Sequence, residues 1–140
     1  MITQTATTSF TEELLQGVHD FTTDVFKLAL YTANADIGED TLTYISQGET
    51  SGVGYTAGGE VLTGVTVIST NGVAFVSFSD VVWSPAAFTA RGGLLYNSSK
   101  GDRAVAVLNF GGDKTSTSTF TVQMPASTAT SALIRISKGV

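Results

Sequence analysis

Between residues 25 and 137 the apolar side chains recur at every second position in short runs, and clusters of Gly, Asn, Pro, Ser or Thr stop each run. A period of two puts alternate side chains on opposite faces of an extended strand, where a helix needs a period near 3.6. In Val25-Phe26-Lys27-Leu28-Ala29-Leu30-Tyr31, Phe26, Leu28 and Leu30 face one way and Lys27 the other. Further strands are predicted at 42–49, 61–68, 73–78, 81–83, 88–96, 104–110, 119–124 and 132–137. Asn71-Gly72, between the 61–68 and 73–78 runs, tolerates the positive φ angles of a tight hairpin turn. Roughly eight or nine short strands punctuated by turns imply an antiparallel β-sandwich or barrel. No helical pattern lies between them, which argues against a parallel βαβ sheet.

One short helix is expected ahead of the strands. Ser9-Phe10-Thr11-Glu12 has the form of a capping box, and Phe10, Leu14, Val18 and Phe21 follow at helical spacing. The helix is placed near 10–21, weakened by Gly17 by about 1 kcal/mol relative to Ala. Burying those side chains yields roughly 6–12 kcal/mol, and ordering the segment costs about as much. The helix must therefore dock, and docking within the domain is the expectation. Residues 1–8 are polar and Thr-rich and read as a flexible arm, which leaves 9–140 as a single β-sandwich domain. At 140 residues the chain suits one domain, with roughly 68% of its unfolded surface buried on folding.

Composition limits the chemistry. Charged residues make up 14% of the chain against about 25% in typical soluble domains, and Thr, Ser and 15 Gly take their place. With no cysteine, disulfides and thiolate metal sites are excluded. A nucleic-acid partner needs clustered Lys and Arg, whereas here the net charge is −5 and the basic residues are scattered. The uncharged stretches 61–79 and 115–134 hold too much Thr, Ser, Gly and Asn to span a bilayer, so no membrane partner is expected. Met1-Ile2-Thr3-Gln4 has neither the basic nor the apolar region of a secretory signal.

Candidate site residues are few, and each has a plain structural reading. His19 is the single histidine, so one subunit holds no multi-histidine metal site. No Gly-x-Ser-x-Gly elbow exposes a serine for a triad with His19-Asp20, and an exposed or capping imidazole is expected. Asp36, Glu39 and Asp40 lack the ligand spacing of an EF-hand loop and read as solvated turn carboxylates. Gly52-Val53-Gly54-Tyr55-Thr56-Ala57 fits a loose dinucleotide pattern but lacks the buried strand before it and the helix after it. Asn97-Ser98-Ser99 has the form of a glycosylation sequon and reads as a polar turn. Trp83, Tyr31, Tyr44, Tyr55 and Tyr96 would make a sugar-stacking platform if exposed, although most aromatics of a sandwich belong to its core or sheet edges. Arg91 and Arg135 interrupt apolar strands; they either anchor an assembly contact or lie solvated on an outer face. No catalytic, cofactor-binding or metal-binding residue is expected, and the chain reads as a structural or binding protein, not an enzyme.

An ordered set of phrases carries a family resemblance. Residues 13–21 read ELLQGVHDF and lead into FKLALYT at 26–32; GVGYTAGG follows at 52–59. Thr89-Ala90-Arg91-Gly92 precedes Leu95-Tyr96-Asn97, and AVAVLNFG at 104–111 is followed by Phe120-Thr121-Val122-Gln123 and Ala132-Leu133-Ile134-Arg135-Ile136. Taken in this order, over about residues 9–137, the chain resembles the capsid cement (decoration) proteins of tailed phages. The resemblance implies a jelly-roll sandwich on the outer surface of an icosahedral head in the virion. It implies binding to the major capsid protein, clamping of neighbouring capsomers, and pairing of the chain as a homodimer. It brings no catalytic motif and no cofactor, and it assigns no contact residue. The alternative expectation is a receptor- or glycan-binding virion module, such as a head or tail fibre domain.

Overall fold

The computed structural model describes residues 1–138. In chain order the elements are β1 (Thr5–Ala6), α1 (Thr8–Leu15), β2 (Phe26–Tyr31), β3 (Glu60–Val61), β4 (Thr66–Thr70), β5 (Val73–Ser77), β6 (Val81–Trp83) and β7 (Thr89–Asn97). A 3-10 turn at Ser98–Lys100 then leads to β8 (Arg103–Thr115), β9 (Phe120–Val122) and β10 (Ile134–Ser137). The named strands pair antiparallel, in sheets ordered β1-β8-β7-β2-β3, β10-β5-β4 and β6-β9. The chain is the all-β antiparallel sandwich expected, with one short helix. Sheets of five, three and two strands do not by themselves make the eight-strand double Greek key of a jelly roll, which stays an implication of the resemblance.

Period two in the sequence becomes two buried faces of the five-stranded sheet. Phe26, Leu28 and Leu30 of β2 enter the main core with Leu95 and Val105, where they meet Phe78, Trp83, Phe88 and Phe120 from the smaller sheets and their loops. The alternate residues Ala29, Tyr31, Leu94, Tyr96 and Val107 are buried on the other face, beneath Ile2, Ala35 and Ile37. A strand covered on both sides reads as nearly continuous apolar sequence, as Leu94-Leu95-Tyr96 does.

Turn chemistry fixes the connections. Asn71 and Gly72 have φ of 50° and 79° and join β4 to β5, as the hairpin signal predicts. Gly59 enters β3 at φ +80°, and a Cβ there would lie 1.8 Å from the Leu28 carbonyl oxygen, so only glycine fits.

Several expectations need correction. Residues 1–8 are not a flexible arm. Ile2 is 6% exposed, Thr3 N donates to the Ile37 carbonyl at 3.0 Å, and Thr5 and Ala6 pair with Val107 and Ala106 of β8. The second apolar face of the sheet needs a cover and the β8 edge needs a partner, and this segment supplies both.

The helix starts earlier and ends sooner than 10–21. Thr7, not Ser9, is its N-cap: Thr7 Oγ1 accepts from Phe10 N at 3.2 Å and also bonds the Ala104 carbonyl of β8 at 3.3 Å. Glu12 accepts from Gln16 Nε2 at 3.2 Å instead of closing a capping box. Gly17, at φ +73°, stops the helix. Phe21 therefore reaches the core from a turn and stacks on Phe26 with ring centroids 4.4 Å apart.

Among the strands, 42–49 is a loop that touches the sheet through single bridges at Thr43 and Glu49. The 61–68 run breaks at Gly64, φ +62°, into β3 and β4, which belong to different sheets. The 104–110 strand runs on to Thr115.

Candidate functional site

The chemistry-bearing side chains gather where α1, the 18–25 turn, the end of β7 and the start of β8 meet. His19 turns inward against Phe10, ring centroids 5.1 Å apart, and its side chain is fully buried. This corrects the expectation of an exposed or capping imidazole. His19 Nε2 lies 2.9 Å from Glu13 Oε1, and Nδ1 lies 3.0 Å from Asn97 Nδ2. An amide nitrogen only donates, so Nδ1 accepts and Nε2–H donates to Glu13. Asn97 is itself fully buried; Nδ2 also donates to Asp24 Oδ2 at 2.8 Å, and Oδ1 accepts from Ser99 N at 3.0 Å. At the rim Arg103 pairs with Glu13, and Lys100 Nζ sits 2.9 Å from Asp24.

Burial alone would raise both carboxyls. Hydrogen bonds from His19 and Arg103 outweigh it at Glu13, and those from Asn97, the Asp20 N–H and Lys100 outweigh it at Asp24, so both sit below the ordinary carboxylate range. Asp20 does not join His19; its Oδ1 accepts from Thr22 N at 2.9 Å. With both imidazole nitrogens occupied inside the fold, the arrangement ties helix, turn and sheet together.

The aromatic platform is not assembled. Trp83 is 2% exposed, and Tyr31 and Tyr96 are buried. Tyr55 stacks near Trp83 in the main core and Tyr44 stacks on Tyr96 on the far side of the sheet, with centroids 6.3 and 5.1 Å apart. The Tyr44 and Tyr55 hydroxyls each donate to the Glu49 carboxylate at 2.6 Å, and Gly58 N adds a third bond at 2.8 Å. Burial first, then the Glu49 carboxylate, pushes both phenols up. This clasp ties the 42–59 loop to itself, and the loop is held on the sheet by Leu30 N donating to Tyr55 Oη at 2.9 Å and by the Tyr31 and Tyr96 hydroxyls donating to the Ile45 and Gly58 carbonyls at 2.6 Å.

The remaining candidates disperse. Arg91, partly buried, lies 3.8 Å from Asp113, and Arg135, exposed, donates to the Thr130 carbonyl. Asp36, Glu39 and Asp40 are exposed, and no group of three or more His, Cys, Asp or Glu among the described residues is placed to hold a metal. Gly52–Ala57 is a loop bridged at Val53 to Ala87, with no helix after it.

The outer surface is left with grooves and backbone edges, which no motif in the sequence announces. Two adjoining grooves of ≈ 690 and ≈ 780 Å³ run along the open edge of the sandwich and share Gln4, Leu108 and Leu133. Phe110, Phe120 and Met124 line one, and Phe10, Leu14 and Ile136 the other. At the other end of the β10-β5-β4 sheet, β4 is bare. All five of its residues are exposed, and among the described residues no strand pairs with its outer side. No described helix is long and apolar enough to cross a membrane. Comparison with protein-family models, with curated proteins and with solved structures returns no match.

Proposed function

We propose that this chain is a structural virion protein of the capsid cement type. It binds the outside of an assembled phage head, holds neighbouring major capsid protein subunits together, pairs with its own copies there, and carries out no catalysis. The observation that carries the reading is where the side chains go. His19, Asn97, Glu13 and Asp24 are spent on one another, and Trp83 and the tyrosines are spent on the two cores or on Glu49. The outer surface offers apolar grooves, which suit segments of a partner, and an unpaired strand edge open to backbone pairing. The family resemblance of residues 9–137 supplies the partner.

A contact of this kind needs several hundred Å2 of complementary surface per partner and no reactive group, and identical contacts repeated over a closed shell add through multivalency. The net charge of −5 speaks against competing affinity for packaged nucleic acid. The test is to add purified protein to expanded heads that lack it. Saturable binding and a higher rupture temperature, read by calorimetry or light scattering, are expected. An unchanged rupture temperature at saturating protein would sink the reading.

A further inference from the structure

We propose that β4 is the edge through which two copies of this chain join, antiparallel β4 to β4 about a two-fold axis at Ile68, so that two three-stranded sheets become one continuous sheet. The inference rests on the proposed reading only in that copies pair; the choice of edge comes from β4 itself.

The register dictates what the edge presents. A two-residue turn at Asn71-Gly72 makes Thr70 and Val73 a hydrogen-bonded pair. Alternation along the antiparallel ladder then points the backbone groups of Thr66, Ile68 and Thr70 at β5 and those of Val67 and Ser69 outward. With the axis at Ile68, Val67 meets Ser69 of the other copy, and Ser69 meets its Val67. Both pairs are hydrogen-bonded, giving about four new backbone bonds. Ile68 meets its own counterpart in the closer spacing between those pairs, and Thr66 meets Thr70. Thr66-Val67-Ile68-Ser69-Thr70 is nearly palindromic, so Thr lies on Thr at the ends and Ile on Ile at the centre.

The near palindrome selects a second copy as the occupant, and local charge does not oppose it. Two chains of net charge −5 repel over most of their surfaces, but residues 61–79 contain no ionisable side chain, so nothing opposes this seam. Edge strands are ordinarily blunted by Lys, by Pro, by a bulge or by a covering loop. Among the described residues β4 has none of these: its register with β5 is unbroken, every residue is exposed, and Val67 and Ile68 are 50% and 47% exposed. The seam is small beside the roughly 1,200–2,000 Å2 of a stable interface, so the free protein dimerises weakly and the shell, by holding copies side by side, strengthens the contact.

The test uses the full chain, which has no cysteine of its own. At the axis the two Ile68 Cα atoms would lie about 4.5 Å apart, within disulfide reach. Under mild oxidation Ile68→Cys should form a covalent dimer at least about tenfold faster than Val53→Cys, a site 65% exposed outside β4. Ile68→Lys should abolish the dimer seen by sedimentation up to about 1 mM while keeping the wild-type circular dichroism spectrum and melting curve. Equal cross-linking rates, a dimer untouched by Ile68→Lys, or a wild-type chain monomeric at about 1 mM overturns the seam. So does cross-linking of Ile68→Cys to capsid protein alone, which would give the edge to a capsid strand. Heads that bind and are stabilised by the protein after any of these results leave the cement reading standing, and a working seam with no capsid binding removes that reading alone.

Discussion

Asn97→Ala is the sharpest probe of the buried cluster, because one amide serves three segments. The substitution removes a charge-assisted hydrogen bond to Asp24, worth about 1.5–3 kcal/mol, and leaves His19 Nδ1 buried without a donor, at about 1–3 kcal/mol. Ser99 N also loses its acceptor and the 3-10 turn its cap. Lys100 and the Asp20 N–H still hold Asp24, which offsets part of the loss. The expected cost is about 3–5 kcal/mol, large against the 5–15 kcal/mol of a typical domain. Urea unfolding followed by far-UV circular dichroism and by Trp83 fluorescence measures it, since the indole is buried in the native core. A double-mutant cycle with His19→Ala should give a coupling of about 0.5–3 kcal/mol, because each change removes the other's partner. A cost below about 1 kcal/mol, or additive single changes, would refute the claim that this network joins helix to sheet.

Three further outcomes follow from the same contacts. The folded pKa values of Glu13 and Asp24 lie below their unfolded values, so the stability they contribute is full above the unfolded pKa and is lost as pH falls through the folded ones. Denaturant midpoints should decline below about pH 5, and Glu13→Gln should flatten that decline; parallel wild-type and variant profiles would contradict it. Gly59→Ala should cost more than about 2 kcal/mol, since its Cβ would collide with the Leu28 carbonyl at a positive φ, and an unfolding midpoint like wild type would count against that backbone path. Removing residues 1–6 uncovers Ala29, Tyr31 and Leu94 and forfeits about 1.5–3 kcal/mol from Ile2 alone, so the melting temperature should drop; a retained value would restore the flexible-arm reading.

Legibility in the sequence followed the range of the interaction. The Phe26–Tyr31 alternation, the Asn71-Gly72 turn and the β7 and β8 strands were readable because each is set within a few residues. The helix cap was misplaced because Thr7 gains a bond from β8, nearly a hundred residues away, which no local capping rule counts. The 42–49 segment has the apolar and β-branched content of a strand, but its backbone bonds go singly to separate partners, Ala104 N to the Leu42 carbonyl, Tyr44 N to the Asp102 carbonyl and Thr32 N to the Gly48 carbonyl, so no ladder forms. His19 is the clearest case. Its partners sit at 13 and 97 and theirs at 24, 99 and 103, so the polar residues that make its burial tolerable are invisible along the chain. A lone histidine between Val18 and Phe21, two residues that the helical spacing marks as inward, was the available hint.

Under the proposed cement reading, burying the reactive groups and baring neutral backbone makes physical sense, because the chain would meet the same partner at many symmetry-related places. Each contact must overcome the cost of ordering whatever is mobile in the free chain, and that cost recurs with every copy. Polar clusters that pin the 18–25 turn and the 42–59 loop meet it once, during folding, so grooves and edges reach the partner already shaped. A surface poor in charge gives up long-range steering, but it also avoids desolvating ions at every copy, and a lattice of sites compensates for slow capture with repeated engagement. On this reasoning the buried network would govern the proposed adhesion indirectly. A variant such as Asn97→Ala should weaken binding in proportion to its lost stability, whereas a β4 variant should weaken it with the fold intact.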